Sequence, residues 1–151
     1  MAHYDLLVIG TGPAGQKAAV QAAKLGKKVG IIERKEVVGG VSTNTGTIPS
    51  KALREAVLYL AGFRQRTLYG AEYRLKKTIT IEDLAFRANH VIKNEIEIVQ
   101  NQMARNGIDL IYGEASFIDP HRINIERAGT TTEHRAHVIV IAVGTEPARP
   151  A

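Results

Sequence analysis

The sequence predicts an α/β fold, a parallel sheet with crossover helices that also carries a small antiparallel β-meander. Three observations predict it. First, the apolar run Tyr4 to Ile9 ends in glycine, and is followed by the alanine-rich stretch Ala14 to Lys24 and a second apolar run, Val29 to Glu33. This strand–helix–strand unit spans about thirty residues, the size of a right-handed crossover. Second, closely spaced strand-like runs are punctuated at Asp119-Pro120 and Ala128-Gly129, as hairpins are. Third, Val138 to Val143 is almost continuously apolar, the pattern of a strand buried on both faces.

The elements follow in order. Tyr4 to Ile9 is a buried parallel strand. The helix Ala14 to Lys24 stops at Gly26, a C-cap residue, and its small Ala18 and Ala22 lie on one face, allowing close packing on a sheet. Residues 34 to 50 form a polar, glycine-containing loop. A helix follows from about Ser50 to Arg66, with Leu53, Val57, Leu60 and Ala61 as its apolar stripe. Thr67 to Thr78 has no clear period. Thr80 with Asp83 three residues on is a capping-box variant. It opens a long amphipathic helix through Ile81, Leu84, Ala88, Ile92, Ile96, Val99 and Met103 to Asn106-Gly107. Further strands are expected at Ile108–Tyr112, Ala115–Ile118, Ile123–Arg127, around Thr131–His134, and at Val138–Val143, where Gly144, Pro147 and Pro150 end the run.

Bulk composition narrows the function. With 151 residues the chain has the length of one domain with a sizeable core. It has no cysteine, which excludes disulfides, thiol catalysis and cysteine–metal sites. The start, Met1-Ala2-His3-Tyr4-Asp5, lacks the basic region of a signal peptide, and no apolar run approaches a membrane span. A cytoplasmic location without a membrane partner fits. The net charge of +5 is scattered, and its densest clusters, Lys27-Lys28 and Lys76-Lys77, are pairs, so no nucleic-acid surface is expected. His134 and His137 flank the last strand three apart, which is not enough for a metal site, and none is expected.

The chemistry begins at Gly10-Thr11-Gly12-Pro13-Ala14-Gly15. It follows a strand and opens a helix, the context that gives a GxGxxG pattern its meaning. Gly10 allows the tight turn, Gly12 lets backbone approach a phosphate, and Gly15 lets helix and strand pack closely. The helix N-terminus presents free N–H groups and partial positive charge to a pyrophosphate. Glu33 ends the next strand, 18 positions after Gly15, where it would accept hydrogen bonds from an adenosine ribose. The pattern is Rossmann-like and does not separate FAD from NAD.

The stretch Gly39-Gly40-Val41-Ser42-Thr43-Asn44-Thr45-Gly46-Thr47-Ile48-Pro49-Ser50-Lys51 makes that separation. It resembles the redox loop of the pyridine nucleotide-disulfide oxidoreductases, which carry two cysteines at the positions held here by Ser42 and Thr47. Hydroxyls form neither a disulfide nor a thiolate partner for flavin, so dithiol–disulfide exchange is ruled out at this site. Thr45 to Val57 is similar to the transhydrogenase branch of the family, which has threonine at the second position. That branch keeps cysteine at the first, so Ser42 is a departure. Two later segments resemble the family as well. Tyr112-Gly113-Glu114-Ala115-Ser116-Phe117 matches the segment whose backbone contacts adenine. Ile139 to Pro147 matches the Ala-Thr-Gly-Ser/Thr-x-Pro segment that returns to the flavin, with Val143 in the threonine position.

The resemblance implies FAD as cofactor. Its contacts are expected from Gly10, Gly12, Pro13, Ala14, Gly15, Glu33, Arg34, Gly39, Gly40, Val41, Ser42, Gly46, Thr47, Lys51, Gly113, Ala115, Ala142, Gly144 and Thr145. Lys51 is the supporting catalytic residue, a positive charge near the flavin that favours its reduced form. The expected activity is hydride transfer from NADPH to NAD⁺ through FAD in a homodimeric enzyme. Residues 1–151 would be the N-terminal part of the FAD-binding domain, without the NAD(P)-binding domain, the returning FAD segment or the dimerisation domain. By themselves they are expected to be inactive and to expose an aggregation-prone sheet edge. A diaphorase- or quinone-reductase-type flavoenzyme, or a non-catalytic nucleotide-binding fragment, are the alternatives.

Overall fold

A computed structural model of the chain describes residues 2–62, 66–70, 78–146 and 148. It contains two compact units, Met1–Gly40 with Ile96–Ala151, and Val41–Glu95.

The first unit is built on a six-stranded sheet. Its strands are β1 (Ala2–Ile9), β2 (Val29–Glu33), β3 (Asp109–Tyr112), β4 (Glu114–Asp119), β5 (Arg122–Arg127) and β6 (Thr130–Ile141), in the order β3-β2-β1-β6-β5-β4. β3, β2, β1 and β6 run parallel, while β4–β5 and β5–β6 pair antiparallel. Helix α1 (Pro13–Lys24) makes the crossover from β1 to β2.

β6 corrects two expectations: it joins two expected runs, and its end is not buried on both faces, with Val138 and Ile141 exposed. The strand-like runs at Thr131–His134 and Val138–Val143 are a single strand of 12 residues that ends at Ile141. Thr130–Arg135 pairs with β5, and His134–Ile141 pairs with β1. No glycine or proline interrupts Thr130 to Ile141, so the chain has no local reason to turn. The polar Glu133, Arg135 and His137 suit a strand with a partly solvated face. The meander is thereby covalently continuous with the parallel sheet.

Two apolar clusters hold this unit together. Val8, Val29 and Ile31 pack with Ala19 and Val20 of α1, and with Val99, Met103 and Ile108. On the other side, Leu7 and Ile32 of the parallel strands meet Ile123 and Ile125 of β5. Fully burying each such side chain stabilises by roughly 1.5–3 kcal/mol. Strict alternation along β1 fails at Asp5. Tyr4 and Leu7, three apart, share a cluster, while Leu6 packs in the other. The N–H groups of Asp5 and Leu6 both donate to the Lys28 carbonyl, at 2.9 and 3.3 Å, a bulge-like arrangement that inserts one residue into the alternation.

Helix ends follow their signals. α1 closes with Gly26 at φ +75, whose N–H reaches the Ala23 carbonyl while Lys27 N–H reaches that of Ala22. This is a Schellman arrangement that only a residue tolerant of positive φ completes cheaply. The buried face of α1 is Gly15, Ala19 and Val20, with Ala18 and Ala22 partly buried at its flank. The long helix α5 (Ile81–Arg105) closes the same way at Gly107, with its C-terminal Met103 and the following Ile108 both buried. At its start, Thr80 N–H and Oγ1–H donate to Asp83 Oδ2 at 2.9 and 3.0 Å, and Asp83 N–H donates back to Thr80 Oγ1 at 3.3 Å. Ile81 departs from the expected apolar stripe and is exposed.

The second unit holds α2 (Gly40–Asn44, from Val41 on), α3 (Thr47–Leu60), α4 (Arg66–Tyr69) and the first part of α5. Residues 34–50 are therefore not all loop: α2 and the first turn of α3 lie within them. Ile48-Pro49-Ser50 places proline in the first turn of α3, where its missing N–H costs nothing. The expected helix from Ser50 to Arg66 ends at Leu60, with residues 63–65 outside those described. Its buried face is Ala52 and Ala56, while Leu53 and Val57 of the expected stripe are 36% and 43% exposed. Ala52 and Ala56 are four apart and so share one face of the helix. Lys76-Lys77, Pro147 and Pro150 lie outside the described residues. Among the described residues no helix is long and apolar enough to cross a membrane.

Candidate functional site

Parallel strands bring their carboxyl ends to one edge of the sheet. Gly10 follows β1, Arg34 follows β2, Gly113 follows β3 and Ala142 follows β6. From β1 the chain crosses to β2 on one side, while β6 lies on the other. A ligand crevice opens at such a switch point in α/β sheets. Gly10 N–H donates to the Ile32 carbonyl and Ala142 N–H to the Ile9 carbonyl, both at 2.8 Å, which fixes the two strand exits against each other. Gly10 has φ +108, and a β-carbon there would overlap the Ala142 carbonyl oxygen. Only glycine fits this turn.

Next comes the N-terminus of α1. Its first turn has Pro13 at the start and no acidic side chain to neutralise the helix dipole. Gln16 N–H is the first to close a helical bond, to the Gly12 carbonyl at 3.0 Å, so the N–H groups of Ala14 and Gly15 have no acceptor inside the helix. A β-carbon on Gly12 would meet nothing within 4 Å. Open space over a helix N-terminus is what an approaching phosphate requires. Behind it, a β-carbon on Gly40 would come 2.9 Å from Gly12 Cα, so Gly40, at φ +62, backs the turn closely.

Glu33 sits beside this turn and is 9% exposed. Its Oε2 accepts from the Thr11 hydroxyl and from Thr11 N–H at 3.3 Å, and Oε1 accepts from Lys35 N–H at 2.9 Å. Thr11 Oγ1 also accepts from Gly39 N–H at 3.1 Å, and Gln16 Nε2 donates to the Thr11 carbonyl at 2.8 Å. Thr11 is 1% exposed and ties three sequence segments together. The GxGxxG pattern leaves position 11 open and does not single out Thr11. The available signal was a hydroxyl between two motif glycines, facing a strand that ends in a carboxylate.

The remaining expected contacts in this unit differ in setting. Arg34 is exposed, 3.9 Å from the exposed Glu114. Gly113, at φ +152, donates its N–H to the Glu33 carbonyl at 2.9 Å, and a β-carbon there would come 2.6 Å from Ile125 Cγ2. Ala115 packs in the cluster of Leu7, Ile32, Ile123 and Ile125, which leaves its backbone as the group able to contact a ligand. Gly144, at φ +76, and Thr145 are exposed.

In the second unit, Val41 is exposed and Ser42 partly buried on α2. Gly46 N–H donates to the Val41 carbonyl at 2.7 Å, closing α2 and turning the chain into α3. Thr47 is the first residue of α3 and Lys51 lies one turn further, both exposed. His134 and His137 have different neighbours: His134 Nε2 pairs with Thr132 Oγ1 at 3.0 Å, and the His137 ring lies 4.8 Å from that of His3. Burial holds the His134 imidazole below its ordinary pKa.

Comparison with known proteins fits this geometry. The family model described as pyridine nucleotide-disulphide oxidoreductase matches residues 4–151. The soluble pyridine nucleotide transhydrogenase of Mycobacterium tuberculosis is 57% identical over 154 residues, covering 99% of this chain and 32% of that protein. The soluble pyridine nucleotide transhydrogenase of Colwellia psychrerythraea is 42% identical over 148 residues, covering 97% of this chain and 32% of its own length. The solved structure of an HOCl-induced flavoprotein disulfide reductase from Escherichia coli, a Cu(II) complex, superposes with a TM-score of 0.79 at 28% identity. It is matched over 99% of this chain and 30% of its own. The chain spans about a third of the length of the curated relatives it matches. A sheet whose switch point lies between β1 and β6, a glycine turn opening α1 and a family match over almost the whole length agree: the chain belongs to the pyridine nucleotide-disulphide oxidoreductase family.

Proposed function

We propose that the chain binds FAD and forms the FAD-binding part of a soluble transhydrogenase. The observation that carries the reading is the Gly10–Gly15 turn, where open space over Gly12 meets the unneutralised N-terminus of α1. The N–H groups of Ala14 and Gly15 would hold the pyrophosphate, and Glu33 would accept from the adenosine ribose. Backbone at Gly113–Ala115 would flank adenine, with the Arg34 guanidinium 3.9 Å from the Glu114 carboxylate beside it. By resemblance, Val41, Ser42, Gly46, Thr47, Lys51, Ala142, Gly144 and Thr145 would contact the flavin end.

When bound, FAD would supply hydride transfer between NADPH and NAD⁺. The chain's own part is binding and electrostatics. Lys51 would set a positive charge beside the flavin. Ser42 and Thr47 provide no thiol, so no disulfide can take the electrons onward. That separates this reading from the disulfide reductases of the family. The identity of 57% to a named transhydrogenase favours it over a diaphorase or quinone reductase. The parent enzyme is read as a cytoplasmic homodimer, and the 151-residue chain alone as inactive.

The test is made on the longer protein that carries this chain. Purified enzyme should be yellow and should transfer hydride from NADPH to a thionicotinamide analogue of NAD⁺, while failing to reduce lipoamide or glutathione disulfide. Disulfide reduction without nicotinamide exchange would overturn the reading.

A further inference from the structure

We infer that Thr11 restricts Glu33 to a single ribose hydroxyl, so that this chain recognises one of the two adenosine ribose hydroxyls and is indifferent to the other. The inference rests on the reading above, in which Glu33 accepts from the ribose of an adenosine diphosphate group.

An ionised carboxylate has about four lone-pair positions and donates nothing. Three are taken within the protein. Thr11 N–H and the Thr11 hydroxyl both donate to Oε2, and Lys35 N–H donates to Oε1. One position on Oε1 is left. A ribose presenting both its 2′ and 3′ hydroxyls would need two.

Releasing a second position means turning the Thr11 hydroxyl away from Glu33. That move is opposed. The hydroxyl has one proton, now given to Glu33, and its oxygen accepts from Gly39 N–H at 3.1 Å. Thr11 is 1% exposed, so solvent has little access to its hydroxyl to replace either partner. A buried donor or acceptor left unpaired costs about 1–3 kcal/mol, comparable to what a second ribose hydrogen bond would return. Thr11 is therefore a positioning residue. It acts on the ligand through Glu33 and touches none of it.

The experiment is isothermal titration of the 151-residue chain with ADP, 2′-deoxy-ADP and 3′-deoxy-ADP, for the wild type and for Thr11→Ala and Thr11→Ser. The wild type should bind one deoxy analogue roughly tenfold or more weakly than ADP and the other within about twofold. Thr11→Ser keeps the hydroxyl and should keep this one-sided pattern. Thr11→Ala frees a position on Oε2 and should discriminate against both analogues. If the wild type itself loses affinity for both, two hydroxyls are bound and the inference fails while the reading of Glu33 stands. If it loses affinity for neither, Glu33 is not a ribose acceptor; if it does not bind ADP, the chain does not hold an adenosine diphosphate group; in both cases the inference falls with the reading beneath it. The wild-type comparison decides even if Thr11→Ala does not fold.

Discussion

A β-carbon placed on Gly15 would overlap the carbonyl oxygen of Gly10 and stand 3.2 Å from Val8 Cγ1. Helix α1 and strand β1 touch through that pair of glycines. Gly12, three residues earlier, faces open space. The same substitution should then act differently at the two positions. Gly15→Ala should destabilise the fold by about 1–3 kcal/mol, because backbone must move. Gly12→Ala should change stability by less than about 0.5 kcal/mol, yet weaken FAD binding by roughly tenfold or more, because the methyl occupies the phosphate's path. Thermal unfolding and flavin titration of both variants separate the effects. Equal loss of stability at both positions would contradict the assignment.

Tyr4 gives a pH dependence. Burial, reinforced by its hydrogen bond to the Asp109 carboxylate, pushes its phenol up to about 12. The ordinary phenol value is about 10. The unfolded chain then gives up this proton first. Tyr4's contribution to stability is whole below about pH 10 and is lost as pH rises from about 10 to about 12. Ultraviolet titration of the folded chain should show a late phenolate step near pH 12 that Tyr4→Phe removes. Stability of the variant should fall less steeply over the same interval.

The β5–β6 hairpin turns at Ala128-Gly129, with both residues at positive φ, +50 and +77. Two positive φ values in a two-residue loop make a type I′ turn, which favours Asn-Gly. Alanine there bears the left-handed penalty, about 1–2 kcal/mol. Ala128→Asn should stabilise the chain by about 0.5–1 kcal/mol, read as a rise in Tm. A fall in Tm would show that the turn is not held as described.

Thr80 and Asp83 form the reciprocal cap of α5. Thr80→Ala should cost about 0.5–2 kcal/mol locally. The effect should appear as faster hydrogen exchange of the amides in the first turn of α5, with the last turn, at Met103, unchanged. Uniform acceleration along α5 would argue against a local cap.

What the sequence made legible was local. Val29 to Glu33 is a short apolar run between Lys27-Lys28 and a charged end, and it is β2 as expected. Thr80–Asp83 and Asn106-Gly107 carry capping chemistry within four residues, and they mark α5 to within a residue or so. What stayed hidden depends on partners far along the chain. β6 is one strand because β5 and β1 pair with its two halves, and a polar middle conceals that. Thr11 gains its place from Glu33, 22 residues away. α2 is a five-residue helix in a glycine-rich stretch, too short to show a helical period. The buried face of α3 runs through Ala52 and Ala56 rather than Leu53 and Val57, which the apolar stripe alone does not show.

The central claim is that this chain holds FAD, and equilibrium titration with FAD, followed by flavin fluorescence, tests it most directly. The account predicts saturable one-to-one binding to the folded chain, weakened by Gly12→Ala without loss of fold. A chain shown to be folded by circular dichroism that leaves flavin fluorescence unchanged would contradict it.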